Sequence, residues 1–244
     1  MDAFPRIEPL GEAALLARFA DRLDGPANRA AIAFAADVAA SPPDGVAEVA
    51  PSLGSVLVTM TDPARDAAAL EAALRERLHV RDWSAVPAPG RRRWTVPCAF
   101  GGDDGPQLEE AAALAGRTPD TAVAEIVAAP LRVLAIGFAP GMPYLGILPP
   151  AWDIPRQTDL TPEVPEGALV VAVRQLVLFG TRAPTGWRQV GRTGFGCFRP
   201  ERPRPVALAA GDELRLRPVG PAELEDLSAA DPDGHGGASW EAVP

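Results

Sequence analysis

The apolar positions of this chain change their spacing partway along it. Residues 12–19, Glu-Ala-Ala-Leu-Leu-Ala-Arg-Phe, read as a first strand. Residues 27–40 are alanine-rich, carry Ile32, Phe34 and Val38, and stop before Ser41-Pro42-Pro43, the pattern of a helix. Two short β-prone runs follow, Val46–Val49 and Ser55–Met60, divided by Pro51-Ser52-Leu53-Gly54. Asp62-Pro63 then occupies the N-cap and N1 positions of a second helix, whose stripe Ala67, Leu70, Leu74 and Leu78 is spaced three and four apart. Strand, helix, strand, strand, helix is the opening of a split β-α-β, ferredoxin-like layer, so residues 1–85 are expected to form an N-terminal α/β domain.

Residues 81–91 hold two prolines and a glycine and read as a linker. Beyond it Trp94–Phe100 is a strand, Pro106 opens a helix that Gly116 stops, and Thr118-Pro119-Asp120 caps another reaching Val127. From Leu131 onward helical spacing gives way to short β-type runs: Leu131–Phe138, Ala168–Val173, Gln175–Phe179, Trp187–Val190, Phe195–Arg199 and Glu213–Arg217. Their Pro/Gly punctuation suits a β-barrel or sandwich over residues 92–228, and the class is α+β. Residues 229–244, polar and Gly-rich, are expected to form a loose tail.

Composition narrows the chemistry. The net charge of −9 argues against a nucleic-acid partner, which needs a basic face. No apolar run approaches the ~20 residues that cross a bilayer, and the first residues lack the apolar core of a secretory signal, so no membrane role and a cytoplasmic location are expected. Cys98 and Cys197 lie far apart in sequence and read as free thiols. All 23 basic residues are arginine. The absence of lysine excludes a Walker-type phosphate lysine, a Schiff base and a biotinyl-lysine on this chain. With only His79 and His235, a His-rich metal centre is excluded as well, and no metal site is expected. His79 ends a helix, where a cation suits the dipole; His235 lies in the tail.

Two stretches could carry a site. Gly137–Gly146 packs two prolines, three glycines and two aromatics into ten residues, which excludes a regular strand or helix. It is either a tight barrel connection or the preformed wall of a binding site, with Gly141 and Tyr144 shaping it. The second is dispersed: Arg156, Arg174-Gln175, Trp187 and Gly191-Arg192-Thr193. An arginine between strands is either surface charge or a bidentate clamp for a carboxylate or phosphate.

Gly137–Gly146 resembles the Gly-Phe-x-Pro-Gly-Phe-x-Tyr-Leu motif of the family that unites KipI, allophanate hydrolase subunit 1 and the B-type subunit of 5-oxoprolinase. The match continues through Pro155-Arg156, Val164-Pro165-x-Gly167, Gln175, Pro184, Gly186-Trp187, Gly191-Arg192-Thr193 and Gly211-Asp212. Upstream it takes in Val96-Pro97-Cys98, Gly101-Gly102 and Gly45-Val46, so that about residues 8–220 are covered. The resemblance implies an α/β domain joined to a cyclophilin-like β-barrel. It also implies a homologous second subunit, of the KipA kind or the C-type subunit of 5-oxoprolinase, and hydrolysis of 5-oxoproline with ATP in the assembled complex. No cofactor is expected on this chain itself, the nucleotide being held mainly elsewhere. Arg156 and Arg192 would hold an anionic group, Gln175 the amide, and Arg174, Phe179 and Trp187 would complete the substrate pocket. No catalytic residue is assigned.

The chain departs from the family in places. Ala128-Ala129-Pro130-Leu131 stands where relatives carry a histidine, and Thr161 where they tend to carry arginine. The family's Gly-x-Gln-Thr-Gly-Ile-Tyr-Pro becomes Val173-Arg174-Gln175-Leu176-Val177-Leu178-Phe179-Gly180, which implies a drier, narrower pocket floor. Those substitutions motivate a second reading, a stand-alone biosynthetic enzyme such as a cyclase for a more apolar substrate. A third, resting on the family name, is a non-enzymatic regulator of a kinase.

Overall fold

The structure, a computed structural model, describes residues 4–87, 91–231 and 234–243. It divides into two compact units, Met1–Gly90 and Arg91–Pro244. Residues 88–90 of the expected linker lie outside the described residues. The start of that linker is structured: Trp83–Ala85 is a single 3-10 turn. Trp83 is buried there, edge-on to Phe34 at 5.2 Å, and donates its indole N–H to the Leu78 carbonyl. The tryptophan outweighs the prolines in deciding where the first unit ends.

The N-terminal unit is an antiparallel sheet of β1 (Arg6–Leu10), β2 (Ala14–Arg18), β3 (Val46–Ser52) and β4 (Ser55–Met60), in the order β1-β2-β4-β3. Helices α1 (Gly25–Ala40) and α2 (Pro63–Leu78) share one core with it. Each helix starts on an aspartate, Asp24 or Asp62, whose carboxylate accepts a backbone N–H of the first turn, with proline following. Strand β4 alternates cleanly, burying Val56, Val58 and Met60 against Leu70, Leu74 and Phe34. Strand β1 leaves no mark in the sequence pattern because Ile7 is its one buried position.

The C-terminal unit is a closed seven-stranded barrel. Its strands are β5 (Arg92–Phe100), β6 (Leu131–Ile136), β7 (Pro143–Gly146), β9 (Ala168–Ala172), β10 (Gln175–Leu178), β12 (Arg188–Thr193) and β13 (Glu213–Pro218). They run in the order β6-β13-β5-β12-β9-β10-β7, and β7 pairs back to β6. A separate ribbon joins β8 (Thr161–Val164) to β11 (Ala183–Thr185). Helices α3 (Leu108–Leu114) and α4 (Pro119–Ala128) contribute Leu108, Ala112 and Ile126 to the main core. The fold is thus mixed α+β.

Three sequence expectations need correction here. Pro143–Gly146 is a strand despite its composition, because its proline sits at the first position and its remaining residues pair on both sides. Phe195–Arg199 is not a strand; its β-type pairing is an isolated bridge from Phe198 to Val206. Finally, the tail expected to be loose over residues 229–244 is in part ordered structure: its first two residues end α5 (Pro221–Ala230), which buries Leu224, and β14 (Ser239–Ala242) pairs with the start of β5. His235 packs 5.5 Å from the Trp94 ring, and the Asp231 carboxylate accepts the backbone N–H groups of His235 and Gly237. Both cysteines are free and buried, and burial pushes the Cys98 thiol up and that of Cys197 to about 12.

The β9–β10 connection turns on Val173 and Arg174, both with positive φ (43° and 63°), as a two-residue hairpin loop of the mirror-image type requires. A β-branched residue is poorly suited to that region. Val173→Gly is therefore expected to raise stability by about 1 kcal/mol, measured as an upward shift of the denaturation midpoint. No gain would mean that the turn is relaxed around the valine.

Candidate functional site

Period-two alternation on β10 divides its side chains between two cores. Leu176 and Leu178 join Val133, Leu145, Leu169 and Val171 in the main core. Val177 and Phe179 join Met142, Ala168, Val170 and Trp187 on the other face. Register carries that second face across neighbouring strands: Val177 lies opposite Tyr144 on β7 and Val170 on β9. Above it, with Pro184 and Thr185 of β11 at its rim, opens a hollow of about 360 Å³. Its wall includes Phe138, Met142, Tyr144, Arg156, Phe179 and Trp187.

Four of the residues singled out from sequence therefore meet: Tyr144, Arg156, Phe179 and Trp187. Tyr144, the one tyrosine of the chain, meets the Trp187 ring edge-on at 6.1 Å. The Arg156 guanidinium lies 5.3 Å from the centre of the Trp187 ring. Arg156 is itself exposed and is the sole charged side chain among the described residues lining the hollow. The arrangement can seat a mostly apolar body with one anionic end.

The other four lie elsewhere. Gly141 has φ 72°, and a Cβ there would fall 2.5 Å from the Cys197 carbonyl oxygen, so its role is close backbone packing rather than ligand contact. Arg174 occupies the hairpin turn and donates from Nε to the Leu148 carbonyl at 2.9 Å. Gln175 starts β10 opposite Gly146 and Ala172, outside the lining of the hollow, with its side-chain oxygen buried and without a hydrogen-bond partner among the described residues. Arg192 is held by Asp104, whose carboxylate is buried, and takes no part in the hollow. The convergence expected of Arg156, Gln175 and Arg192 is not what the fold builds: Asp104 claims Arg192, and Gln175 lies before the part of β10 that reaches the hollow.

A loop between β5 and α3 supplies what sequence reasoning misses. Gly105 comes so close to β12 that a Cβ would lie 2.1 Å from the Val190 carbonyl oxygen. This contact sets a row of amides in line. Gln189 donates from its side chain to the Asp104 carbonyl at 2.8 Å and from its backbone to the Gln107 side-chain oxygen at 2.9 Å. Gln107 in turn donates to Gln157 at 2.7 Å, and Gln157 donates to the Trp187 carbonyl at 3.0 Å and the Thr161 hydroxyl at 3.2 Å. Gln157 lines the hollow, so the row runs from the Arg192–Asp104 pair to the wall of the site. Buried Arg188 braces the same region, bonding Glu110 at 2.8 Å and the Pro155 carbonyl at 2.7 Å, next to Arg156. Regular spacing gives no hint of such a row; of the family-like positions, Gly101-Gly102 and Gly191-Arg192 lie near it in sequence.

The departures noted in sequence also sort by face. Val177 and Phe179 do line the hollow, whereas Leu176 points into the main core and Val173 sits in the turn. Gly137–Gly146 serves both of its readings. Its first half is a tight connection, with Gly137 N–H bonded to the Met142 carbonyl at 3.0 Å, and it also presents Phe138 to the hollow with φ 71°.

The family model for the carboxyltransferase domain, subdomain C and D, matches residues 5–208. The chain belongs to this family. Within it, the B-type subunit of 5-oxoprolinase from Bacillus subtilis (strain 168) is 30% identical over 223 residues, 86% of this chain and 91% of that protein. The resemblance read from the motifs is borne out. Among solved structures, TTHA0988 is 29% identical with a TM-score of 0.69, covering 84% of this chain, which spans 39% of that longer one. The urea amidolyase of Kluyveromyces lactis shares the fold at 15% identity and a TM-score of 0.75; 97% of this carboxyltransferase-family chain aligns with 16% of it.

Proposed function

We propose that this protein is the B-type subunit of an ATP-dependent hydrolase that opens a cyclic amide of the 5-oxoproline kind, working with a homologous second subunit in the cytoplasm. The observation that carries the reading is the similarity to a relative named as the B-type subunit of 5-oxoprolinase, over 91% of that relative's length. In the reaction, water adds to the lactam carbonyl, the C–N bond breaks, the nitrogen leaves protonated as an amine, and glutamate results; ATP hydrolysis drives it. Arg156 would receive the substrate carboxylate and Tyr144 would hydrogen-bond the amide, on a floor of Val177, Phe179 and Trp187. The domain types that go with this reading are a ferredoxin-like layer and a cyclophilin-like barrel.

Co-expression with a homologue of the second subunit tests the reading. The pair is expected to co-purify and, with its remaining partner, to release glutamate from 5-oxoproline only when ATP is present. A partnerless monomer or homodimer, with no glutamate released, would sink it.

A second reading is favoured by one observation, the apolar character of the hollow. Phe138, Met142, Leu160, Val177, Phe179 and Trp187 leave few polar groups for a small lactam. Each substrate hydrogen bond left unmade there would cost about 1–3 kcal/mol. In that reading the scaffold acts alone on a larger, more apolar substrate, and the partner experiment separates the two.

A further inference from the structure

The C-terminal unit holds another cavity, of about 370 Å³, that shares no lining residue with the site above. Arg199, Arg202 and Arg204 line it together with Trp94, His235 and Trp240. In a chain of net charge −9, such a gathering of guanidinium groups is a local reversal of sign. Arg92 also reaches this wall, but it is neutralised by the buried carboxylate of Asp212 and bonds the Ala207 carbonyl. Arg199 meets Glu166 at 2.9 Å. Arg204 makes no ion pair among the described residues and is exposed. The acid nearest in sequence, Glu201, does not line the cavity.

The arginines are also held in place. Residues 199–205 read Arg-Pro-Glu-Arg-Pro-Arg-Pro, a run in which three prolines restrict the backbone. The Arg199 N–H donates to the Pro205 carbonyl at 2.7 Å, the Arg202 N–H to the Arg199 carbonyl at 3.1 Å, and the Phe198–Val206 bridge closes the neck. A loop stiffened this way loses little freedom when its guanidinium groups bind an anion.

The same cavity has an aromatic surface. Trp240 on β14 is 56% exposed and pairs in register with Trp94 on β5, the two rings 6.2 Å apart. Arg92 covers both, 5.4 Å from the Trp94 ring and 5.8 Å from that of Trp240. Trp94 itself is 3% exposed, so Trp240 is the ring of this pair that a bound molecule can reach. Flat apolar surface and guanidinium groups carried on a stiffened loop, in one small cavity, match a flat ring that carries a phosphate.

We propose that this cavity binds a nucleoside phosphate, with its base against Trp240 and its phosphate oxygens among Arg199, Arg202 and Arg204. The chain has no lysine, so arginines would do the whole of the phosphate binding. This departs from the expectation that any nucleotide is held elsewhere in a complex. It does not rest on the amide-hydrolase reading, since it concerns binding by this chain alone.

Tryptophan fluorescence and calorimetry on the full chain test it, with AMP, ADP and ATP as probes and adenosine, ribose 5-phosphate and inorganic phosphate as controls. The nucleotides are expected to quench and to saturate, binding at least about tenfold more tightly than any control and more weakly as salt rises. Arg204→Ala and Trp240→Leu, both at exposed positions, are each expected to weaken AMP by about tenfold or more without changing the melting temperature, while Arg156→Ala leaves AMP binding unchanged. No saturable binding of any nucleotide would overturn the assignment. So would inorganic phosphate binding as tightly as AMP, or nucleotide binding that neither Arg204→Ala nor Trp240→Leu affects.

Discussion

Asp104→Ala is expected to lower the stability of the C-terminal unit by about 2–3 kcal/mol, read as a fall in the guanidinium denaturation midpoint. The carboxylate is 7% exposed and accepts the Arg192 Nε–H, while the Arg192 side chain is 31% exposed. Removing the acid strands a cation that water reaches only in part. The expected loss therefore sits below the figure for a wholly buried pair. The sign of the effect can be checked with a cycle: Arg192→Leu in the Asp104→Ala background should recover much of the loss, because no charge is then left unpaired. Additive losses in the double variant would mean that the two side chains do not support each other. The Asp104 backbone carbonyl is not removed by the substitution, so the Gln189 bond at 2.8 Å should survive if the loop holds its place.

That pair illustrates what the sequence could and could not reveal. The second N-terminal helix was legible because its Asp-Pro start and three-and-four stripe state its position twice over, and the first because an alanine-rich run stops at Ser-Pro-Pro. The central barrel strands were legible because they are continuously apolar, as in the fully buried β9. Short strands at the margins were not. Strand β14 is exposed at all its positions, and β8 and β11 each contain a proline, so neither spacing nor propensity marks them.

For the site, Tyr144 was legible because it stands in a Pro/Gly-rich stretch that fixes the backbone, and Phe179 and Trp187 through the family resemblance. Polar members were not. Arg192, Arg174 and Gln157 look alike in sequence, and only the fold decides that one pairs with Asp104, one braces a turn and one lines the hollow. Parity on a strand separates Val177 from Leu176, but it cannot say where along the strand a hollow ends, which is why Gln175, two positions from Val177, falls outside it.

Arg156→Ala is expected to leave stability unchanged and to cost the assembled enzyme about 10- to 100-fold in kcat/KM for an anionic substrate, the range of a lost charge-assisted hydrogen bond of about 1.5–3 kcal/mol. Stability should hold because the side chain is exposed and its contact is with one face of Trp187 at 5.3 Å. The functional cost should be large because no other charged side chain, among the described residues, lines the hollow. If the arginine acts on bound substrate and transition state alike, KM rises and kcat is preserved. Arg156→Lys should recover part of the loss, since a point charge replaces the planar fork without its second donor. An amidated substrate analogue, lacking the carboxylate, should be turned over equally by the native and Arg156→Ala enzymes. Full activity of Arg156→Ala on the anionic substrate would remove the hollow from the amide-hydrolase reading and leave it to the apolar one.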